Sequence, residues 1–208
     1  MIKAIDIDNL ICSYDKRPVL KNVTFSVQKG DMFIVIGPNG SGKTTLMKAM
    51  AGIRGFENGS VDVLGRNISG YSKKILAQAV ALVPQEGPLD FPFTVNELVL
   101  MGRSPYLGIL GLPREEDFEI AGRALAFTGV ENLAHRKLDQ LSGGEKQLVF
   151  IARAICQEPQ IIILDEPTAS LDLAHQIKIM DLMEKLKLEK GVTVVMVSHD
   201  VNLAAMYG

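Results

Sequence analysis

The chain has 208 residues, of which 47% are hydrophobic and 22% charged, so it can bury a core as one domain or as one domain with a subdomain. Its 22 basic and 24 acidic residues give a formal net charge of −2, and no positive excess points to nucleic acid as a direct partner. The two cysteines, Cys12 and Cys156, lie far apart, which excludes a disulfide framework and favours a reducing cytosol.

The N-terminal segment alternates polar and apolar residues, as a strand does, and lacks the continuous apolar stretch of a signal peptide. No apolar run in the sequence reaches the roughly 18 to 20 residues that span a bilayer. We therefore expect any role at a membrane to come through a partner protein.

Short strand-like segments occupy the first 85 residues. Runs rich in Val, Ile and Phe, separated by Gly, Pro and Asn, predict a mixed sheet and one helix at about 44–51. The predicted strands are 3–8, 23–27, 32–36, 59–63 and 80–83.

The next part of the chain is predicted to be helical. Thr94 and Glu97 form a capping-box pattern that should start a helix through Met101, and helices should dominate to about residue 157. The glycines and prolines of segment 102–113 predict an irregular loop between them.

A strand, a helix and a second strand are predicted after residue 160. IIILD is a continuous apolar run, apolar residues then recur at helical spacing, and VTVVMV follows. Such units pack as parallel strands with right-handed crossovers, so we expect an α/β fold with helices on both faces of a parallel sheet. The predicted core comprises residues 1–85 and 158–208, and the inserted helical subdomain comprises residues 86–157.

The segment GPNGSGKTT, at 37–45, matches the phosphate-binding pattern G-x-x-x-x-G-K-[ST] and lies between a predicted strand and a predicted helix. Its glycines let backbone N–H groups face phosphate oxygens, Lys43 can reach the terminal phosphates, and Thr44 can offer its hydroxyl to Mg²⁺. The residues predicted to bind ATP here are Gly37, Pro38, Asn39, Gly40, Ser41, Gly42, Lys43, Thr44 and Thr45.

Two acidic residues end the apolar strand IIILD. Asp165 is placed to contact Mg²⁺ either directly or through one of its ligands, and Glu166 is placed to orient or deprotonate the attacking water. The alternative for Glu166 is a solvated acid at the end of a strand.

The segment LSGGEKQ, at 141–147, has two interpretations. Ser142 and Glu145 form a capping-box pattern ahead of a buried helical stripe, which explains the spacing. It does not explain Gly143 and Gly144, since each glycine weakens a first helical turn by about 1 kcal/mol but exposes its N–H groups to an anion. A second phosphate-binding surface is the better interpretation.

In this order, the phosphate loop, Gln85, LSGGE, IIILDE, Asp172 and His199 resemble the ATP-binding cassette family over essentially the whole chain. The resemblance implies a phosphate-loop ATPase fold, with an antiparallel β portion at the N-terminal end and an inserted helical subdomain. It also implies a head-to-tail dimer, in which Ser142, Gly143, Gly144 and Glu145 of one copy complete the ATP site of the other.

Further roles are implied by the same resemblance. Tyr14 would stack on adenine, Gln85 would contact Mg²⁺ and the attacking water, and His199 would hold the γ-phosphate. Asp172 would connect the two sites of the dimer. The expected metal ligands are Thr44, Gln85 and Asp165.

Within this family, the short interval between Gln85 and Ser142 leaves no room for the long coiled coil of the members that act on DNA. A single cassette disfavours the members that act on the ribosome, and a phosphate-loop kinase would leave LSGGE and His199 unexplained. The remaining hypothesis is a transport ATPase.

The segment MGRSPYLG, at 101–108, resembles the ATPases of importers for iron–siderophore complexes, haem, cobalamin and related metal chelates. Molybdate or tungstate uptake is the alternative. This membership implies permease subunits as partners, a solute-binding protein as an indirect partner, and a peripheral location on the cytoplasmic face of the inner or plasma membrane. Family members continue with further strands after His199, so we expect an exposed sheet edge in this chain, which ends at residue 208. The sequence leaves open whether a chain of this length dimerises and hydrolyses ATP.

Overall fold

The structure is a computed structural model that describes residues 2–14, 17–85, 92–108 and 111–207, with the backbone alone for Tyr14. The strands are β1 (Lys3–Tyr14), β2 (Arg17–Gln28), β3 (Met32–Ile36), β4 (Asn58–Val63), β5 (Arg66–Asn67), β6 (Val80–Val83), β7 (Ile161–Leu164) and β8 (Thr193–Ser198). The α-helices are α1 (Lys43–Met50), α2 (Lys73–Ala79), α3 (Val95–Leu100), α4 (Glu115–Thr128), α5 (Gly143–Cys156), α6 (Leu173–Lys190) and α7 (Val201–Tyr207).

Four strands form an antiparallel sheet in the order β2-β1-β4-β5. Strand β1 is longer than predicted because it continues through an irregularity between Ile7 and Leu10, where Asn9 has a left-handed φ of 48°. Asparagine tolerates this conformation better than most residues, so the polar pair Asp8 and Asn9 makes a bulge and does not end the strand.

The other four strands form a parallel sheet in the order β3-β8-β7-β6. In β7, Ile161 and Ile163 join the core shared with the antiparallel sheet, whereas Ile162 and Leu164 join the core shared with the helices. Successive side chains of a strand point to opposite faces, so a strand that is covered on both faces is apolar throughout. The predicted parallel sheet and α/β fold are confirmed.

The helical part of the chain follows its capping signals. The Thr94 backbone N–H donates to Glu97 Oε2 at 2.7 Å, and the Glu97 N–H donates to Thr94 Oγ1 at 3.3 Å, which confirms the predicted capping box. Helix α3 ends at Leu100, and a 3₁₀ turn, Met101–Arg103, follows. The predicted apolar stripe of α6 is buried and comprises Ile179, Leu182, Met183 and Leu186.

The segment 101–108, singled out in the sequence, is fixed to its neighbours on both sides. Arg103 is buried and bonds Asp117 of α4 at 2.9 Å and Glu158 at 2.8 Å. Gly102 lies so close to α5 that a Cβ there would be 2.3 Å from the Arg153 carbonyl oxygen. The start of the predicted irregular segment is therefore an ordered bridge to α4 and α5.

Helices α2 and α7 have no counterpart in the predicted elements, since each is short and lacks a clear apolar period. Ser72 caps α2 by accepting a hydrogen bond from the Ile75 N–H. Among the described residues, no helix combines the length and the apolar character that crossing a membrane requires.

Candidate functional site

The loop between β3 and α1 is shaped by its glycines. Gly40 and Gly42 have left-handed φ values of 77° and 95°, a region that favours residues without a Cβ. A Cβ on Gly42 would also lie 2.9 Å from Val19 Cγ1 of β2. The loop therefore turns tightly into α1 while β2 packs against it.

Lys43 begins α1 and is buried beneath this loop. Its Nζ donates hydrogen bonds to the carbonyl oxygens of Gly37 at 2.9 Å and Pro38 at 2.8 Å, and it lies 3.7 Å from Glu166 Oε1. The ammonium group is thus held between the loop and a carboxylate, on the side where a bound phosphate would meet the loop.

A cavity of about 440 Å³ lies over the loop. Most of the residues that line it were predicted for the nucleotide site, although they come from four separate parts of the sequence. Val19 of β2 was not predicted, because one valine in an apolar strand carries no signal. The lining residues are Val19, Asn39, Gly40, Gly42, Lys43, Thr44, Thr45, Gln85, Glu166 and His199.

Glu166 contacts three other residues that line this cavity, Lys43, Gln85 and His199. Its Oε2 accepts a hydrogen bond from Gln85 Nε2 at 3.0 Å, and its Oε1 lies 2.5 Å from His199 Nε2. The side chain is only 11% exposed, and the residue has a left-handed φ of 51°. This backbone conformation is costly for a residue with a Cβ and is concentrated at functional sites, which argues against a merely solvated acid.

Asp165 ends β7 next to Glu166 and is buried. Burial is the main cause that raises its pKa, and the charge of Glu166 adds to this, whereas a hydrogen bond from Thr44 and the nearby Lys48 and Lys43 oppose it. Its Oδ1 is buried without a hydrogen-bond partner. Since an unpaired buried carboxylate oxygen is costly, this atom fits a bound cation.

The LSGGE segment lies outside this cavity. The Ser142 backbone N–H donates to Glu145 Oε2 at 2.8 Å, and the Glu145 N–H donates to Ser142 Oγ at 3.3 Å, so the predicted capping box is confirmed. The Ser142 N–H is the main cause that lowers the pKa of Glu145. Ser142 and Gly143 are exposed, whereas Gly144 is buried.

Asp172 also lies outside the cavity and caps α6. Its Oδ1 accepts a hydrogen bond from the His175 backbone N–H at 2.9 Å, which is the main cause that lowers its pKa. Neither Asp172 nor the described residues 142–145 are among those that line the cavity. One group of predicted residues thus lines the cavity, and a second group lies away from it, at the starts of α5 and α6. The predicted residues Gly37, Pro38, Ser41 and Asp165 are not among the lining residues.

The end of β1 approaches the loop 54–57. The predicted adenine contact, the Tyr14 side chain, lies outside the described residues. The preceding residue, Ser13, is held by Glu57, whose carboxylate accepts from the Ser13 hydroxyl at 2.6 Å and from its N–H at 3.1 Å. Arg54 Nη2 donates to the Ser13 carbonyl oxygen at 2.6 Å. The sequence held no signal for either contact, since both join residues far apart in the chain.

The comparisons with known proteins agree with this geometry. Residues 20–169 match the family model described as ABC transporter. The chain belongs to the ABC transporter family, and within that family it is an ATP-hydrolysing cassette. The ATPase subunits of ABC importers form dimers and work with permease subunits.

Three relatives illustrate the range of the similarity. The manganese transport system ATP-binding protein MntB of Bacillus subtilis is 40% identical over 98% of this chain and 80% of its own length. The ferric enterobactin transport ATP-binding protein FepC of Escherichia coli is 38% identical over 96% of this chain and 74% of its own length. The ABC transporter ATP-binding protein YvrA of Bacillus subtilis is 40% identical over 96% of this chain, which spans only 46% of that protein.

A solved structure is similar over most of both chains. It is a dimeric ATP-binding cassette in a post-hydrolysis state, bound to ADP and phosphate, and has a TM-score of 0.85 and 33% sequence identity. The similarity covers 96% of this chain and 90% of that one.

Proposed function

We propose that this chain powers a membrane importer of metal chelates, with two copies closing head to tail around ATP. The observation that carries the proposal is the convergence of Lys43, Gln85 and His199 on the carboxylate of Glu166, within a cavity bordered by the phosphate-binding loop. A cation, an amide and an imidazole around one buried carboxylate can hold a terminal phosphate and orient a water beside it.

Each of these side chains has a distinct task in the proposed reaction. Lys43 exchanges its bonds to the loop carbonyl oxygens for bonds to phosphate oxygens. Glu166 accepts a proton from the attacking water, Gln85 orients that water, and His199 donates a hydrogen bond to the γ-phosphate. Lys43, Gln85 and His199 each contact Glu166 in the structure, so these three side chains lie within reach of the same reacting atoms.

The residues present also fit Mg²⁺. Asp165 Oδ1, the Thr44 hydroxyl and the Gln85 amide oxygen would hold the ion, and the unpaired Oδ1 is the observation that supports this. In the described ranges, no group of three or more His, Cys, Asp or Glu side chains could hold a metal by itself, so phosphate oxygens would supply further ligands. When bound, Mg²⁺ neutralises charge on the β- and γ-phosphate oxygens.

In the proposed dimer, residues 142–145 and Asp172 of the second copy complete the ATP site of the first. Ser142 and Gly143 are exposed at the start of α5, where N–H groups and the helix dipole favour an anion. Asp172 is exposed at the start of α6. In a head-to-tail pair, this surface of one copy would face the ATP held by the other. A similar cassette that is dimeric and bound to ADP and phosphate supports pairing of two copies.

The coupling to a permease is assigned to the helical subdomain, residues 86–157, which we propose as a unit that moves against the core at 1–85 and 158–208. The ordered bridge at 101–108 presents Met101 and Tyr106 at its surface. ATP-dependent closure would shift a permease only through contacts that differ between the two states. Lys74 and Gln78 of α2 donate hydrogen bonds to carbonyl oxygens of the bridge. Because the bridge is tied to α2 of the core and also packs on α5, it can transmit such a difference.

For the cargo, we favour an iron–siderophore complex or a related chelate, on the resemblance of segment 101–108 and the name of FepC. MntB is named for manganese, so the relatives differ in cargo. Molybdate or tungstate is the alternative. Uptake of labelled ferric chelate, free manganese and molybdate into vesicles that contain the chain, its permease and the solute-binding protein would separate these cargoes. Transport of molybdate alone would refute our choice.

The ATPase proposal is tested with Glu166→Gln. The variant should keep ATP affinity, lose turnover and accumulate as an ATP-bound dimer, because the amide cannot take the proton from water. The matched control is Glu119→Gln, which changes a glutamate that is 64% exposed on α4. Turnover assays and light scattering with and without ATP give the readouts. Hydrolysis by Glu166→Gln at the wild-type rate would refute the role of Glu166, and a monomer with bound ATP would refute the dimer.

A further inference from the structure

Helices α5 and α6 begin close together, and His175 in the first turn of α6 contacts both starting points. Its backbone N–H donates to Asp172 Oδ1 at 2.9 Å, and its Nδ1 lies 2.8 Å from Asp172 Oδ2. Because a carboxylate only accepts, Nδ1 carries the proton in this bond. Both oxygens of Asp172 are therefore held by one residue.

The opposite side of the imidazole packs on α5. A Cβ on Gly144 would lie 2.3 Å from His175 Cδ2 and 2.7 Å from Nε2, so the ring rests on the glycine backbone. A Cβ on Gly143 would meet only Leu171 Cδ2, at an ordinary 3.8 Å. The ring thus supports the buried side of the turn 142–144, whose other side carries the exposed Ser142 and Gly143.

The loop from Glu166 to Asp172 is fixed by the next residue of α6. Gln176 Nε2 donates to the carbonyl oxygens of Leu171 at 3.1 Å and Thr168 at 3.3 Å. Ser170, between them, has a left-handed φ of 60°. A continuous set of contacts therefore runs from the loop 166–172, through Asp172 and His175, to the turn 142–144.

We propose that His175 is a positioning residue that holds Asp172 and the turn 142–144 in one fixed relation. In each copy, the loop 166–172 and the turn 142–144 then move together, and that turn is the one that faces the partner's ATP. This inference rests on the proposed head-to-tail dimer. It matters for rate because a displacement of about 1 Å of a group that positions a substrate can cost on the order of a hundredfold.

The first test is His175→Ala in the full chain. The rate at saturating ATP should fall about tenfold or more, whereas ATP affinity should change less than about twofold, because His175 does not line the cavity. His175→Asn should retain at least about half of the wild-type rate, because its Nδ2 can take the place of Nδ1 and donate to Asp172. The matched control is His135→Ala, at an exposed histidine.

A purely structural role gives a different result. It predicts a lower melting temperature for His175→Ala with an unchanged rate for the folded protein, and this result would overturn the proposal. Equal losses in His175→Ala and His175→Asn would overturn it as well, since the bond to Asp172 would then be irrelevant.

A double-mutant cycle supplies the second test. The rates of Asp172→Ala, His175→Ala and the double variant should be non-additive, with the double variant no slower than about twofold below the worse single variant. Additive losses would overturn the proposal. If Glu166→Gln forms an ATP-bound dimer but His175→Ala hydrolyses at the wild-type rate, only the role of His175 fails. If ATP produces no dimer at all, the proposed function fails and this inference with it.

Discussion

The Nε2 atom of His199 lies 2.5 Å from Oε1 of Glu166, so the end of β8 and the end of β7 meet at one carboxylate. The two strands are adjacent in the parallel sheet, and their carboxyl ends lie at the same edge. The fold thereby brings the imidazole of His199 against the proton-accepting carboxylate of Glu166, although the two residues are far apart in sequence.

His199→Ala should lower the hydrolysis rate by about 10² to 10³, the usual loss when one preorganised donor to a developing charge is removed. ATP binding should change much less, because Lys43 and the loop N–H groups remain. Steady-state rates and equilibrium binding of ATP provide the measurement. A fall in affinity that alone explains the loss of activity would contradict the assignment.

Lys43→Ala should weaken ATP binding at least about tenfold, since the buried cation beneath the loop is lost while the carboxylates of Asp165 and Glu166 stay in place. Calorimetric titration with Mg-ATP would measure this. Lys178→Ala, at an exposed lysine of α6, is the matched control. Equal affinities for the two variants would show that Lys43 does not contact the nucleotide.

Asp165→Asn should raise the melting temperature of the nucleotide-free protein. The folded state raises the pKa of Asp165, chiefly by burial, so its stabilising contribution is present below the unfolded pKa and is lost as the pH rises through the folded pKa. At neutral pH the buried charge of Asp165 therefore lowers the stability of the folded state, and the uncharged asparagine removes this loss.

The same substitution should abolish the additional stabilisation by Mg-ATP, because a ligand of the ion is lost. Thermal unfolding at pH 7, with and without Mg-ATP, gives both readouts. A lower melting temperature without nucleotide would contradict the electrostatic argument.

Arg103→Ala should reduce the free energy of unfolding by about 3 to 5 kcal/mol, because it leaves the buried Asp117 without its cation. Arg123→Ala is the control, since its pair with Glu119 is exposed and should contribute less than about 1 kcal/mol. Urea unfolding of the three proteins would measure the difference. Similar losses for both variants would refute the importance of the buried pair.

Local patterns predicted much of the fold. Strands β3 and β6 match their predicted ranges, because apolar runs bounded by turn residues specify short buried strands. Both capping boxes follow from a spacing of three residues. The phosphate loop was predictable because its glycines allow the left-handed backbone conformations that the loop requires.

Contacts between distant parts of the chain could not be predicted in this way. Val19 enters the cavity because β2 packs on Gly42, and Glu57 reaches Ser13 across a loop. The packing of His175 on Gly144 depends on how α5 and α6 are arranged around the sheet, which no local pattern encodes. Gly143 and Gly144 indicated an unusual turn in the sequence, but they did not reveal that His175 packs against it.

Helix α2 holds segment 101–108 through the main chain of the segment. Lys74 Nζ donates to the Leu107 carbonyl oxygen at 3.0 Å, and Gln78 Nε2 donates to the Pro105 carbonyl oxygen at 3.0 Å. Carbonyl oxygens are present whatever side chain a position carries. The side chains at 105 and 107 can therefore change without loss of the two hydrogen bonds to α2. Under the coupling proposed above, the surface of the segment can be matched to a different permease while its attachment to α2 stays the same.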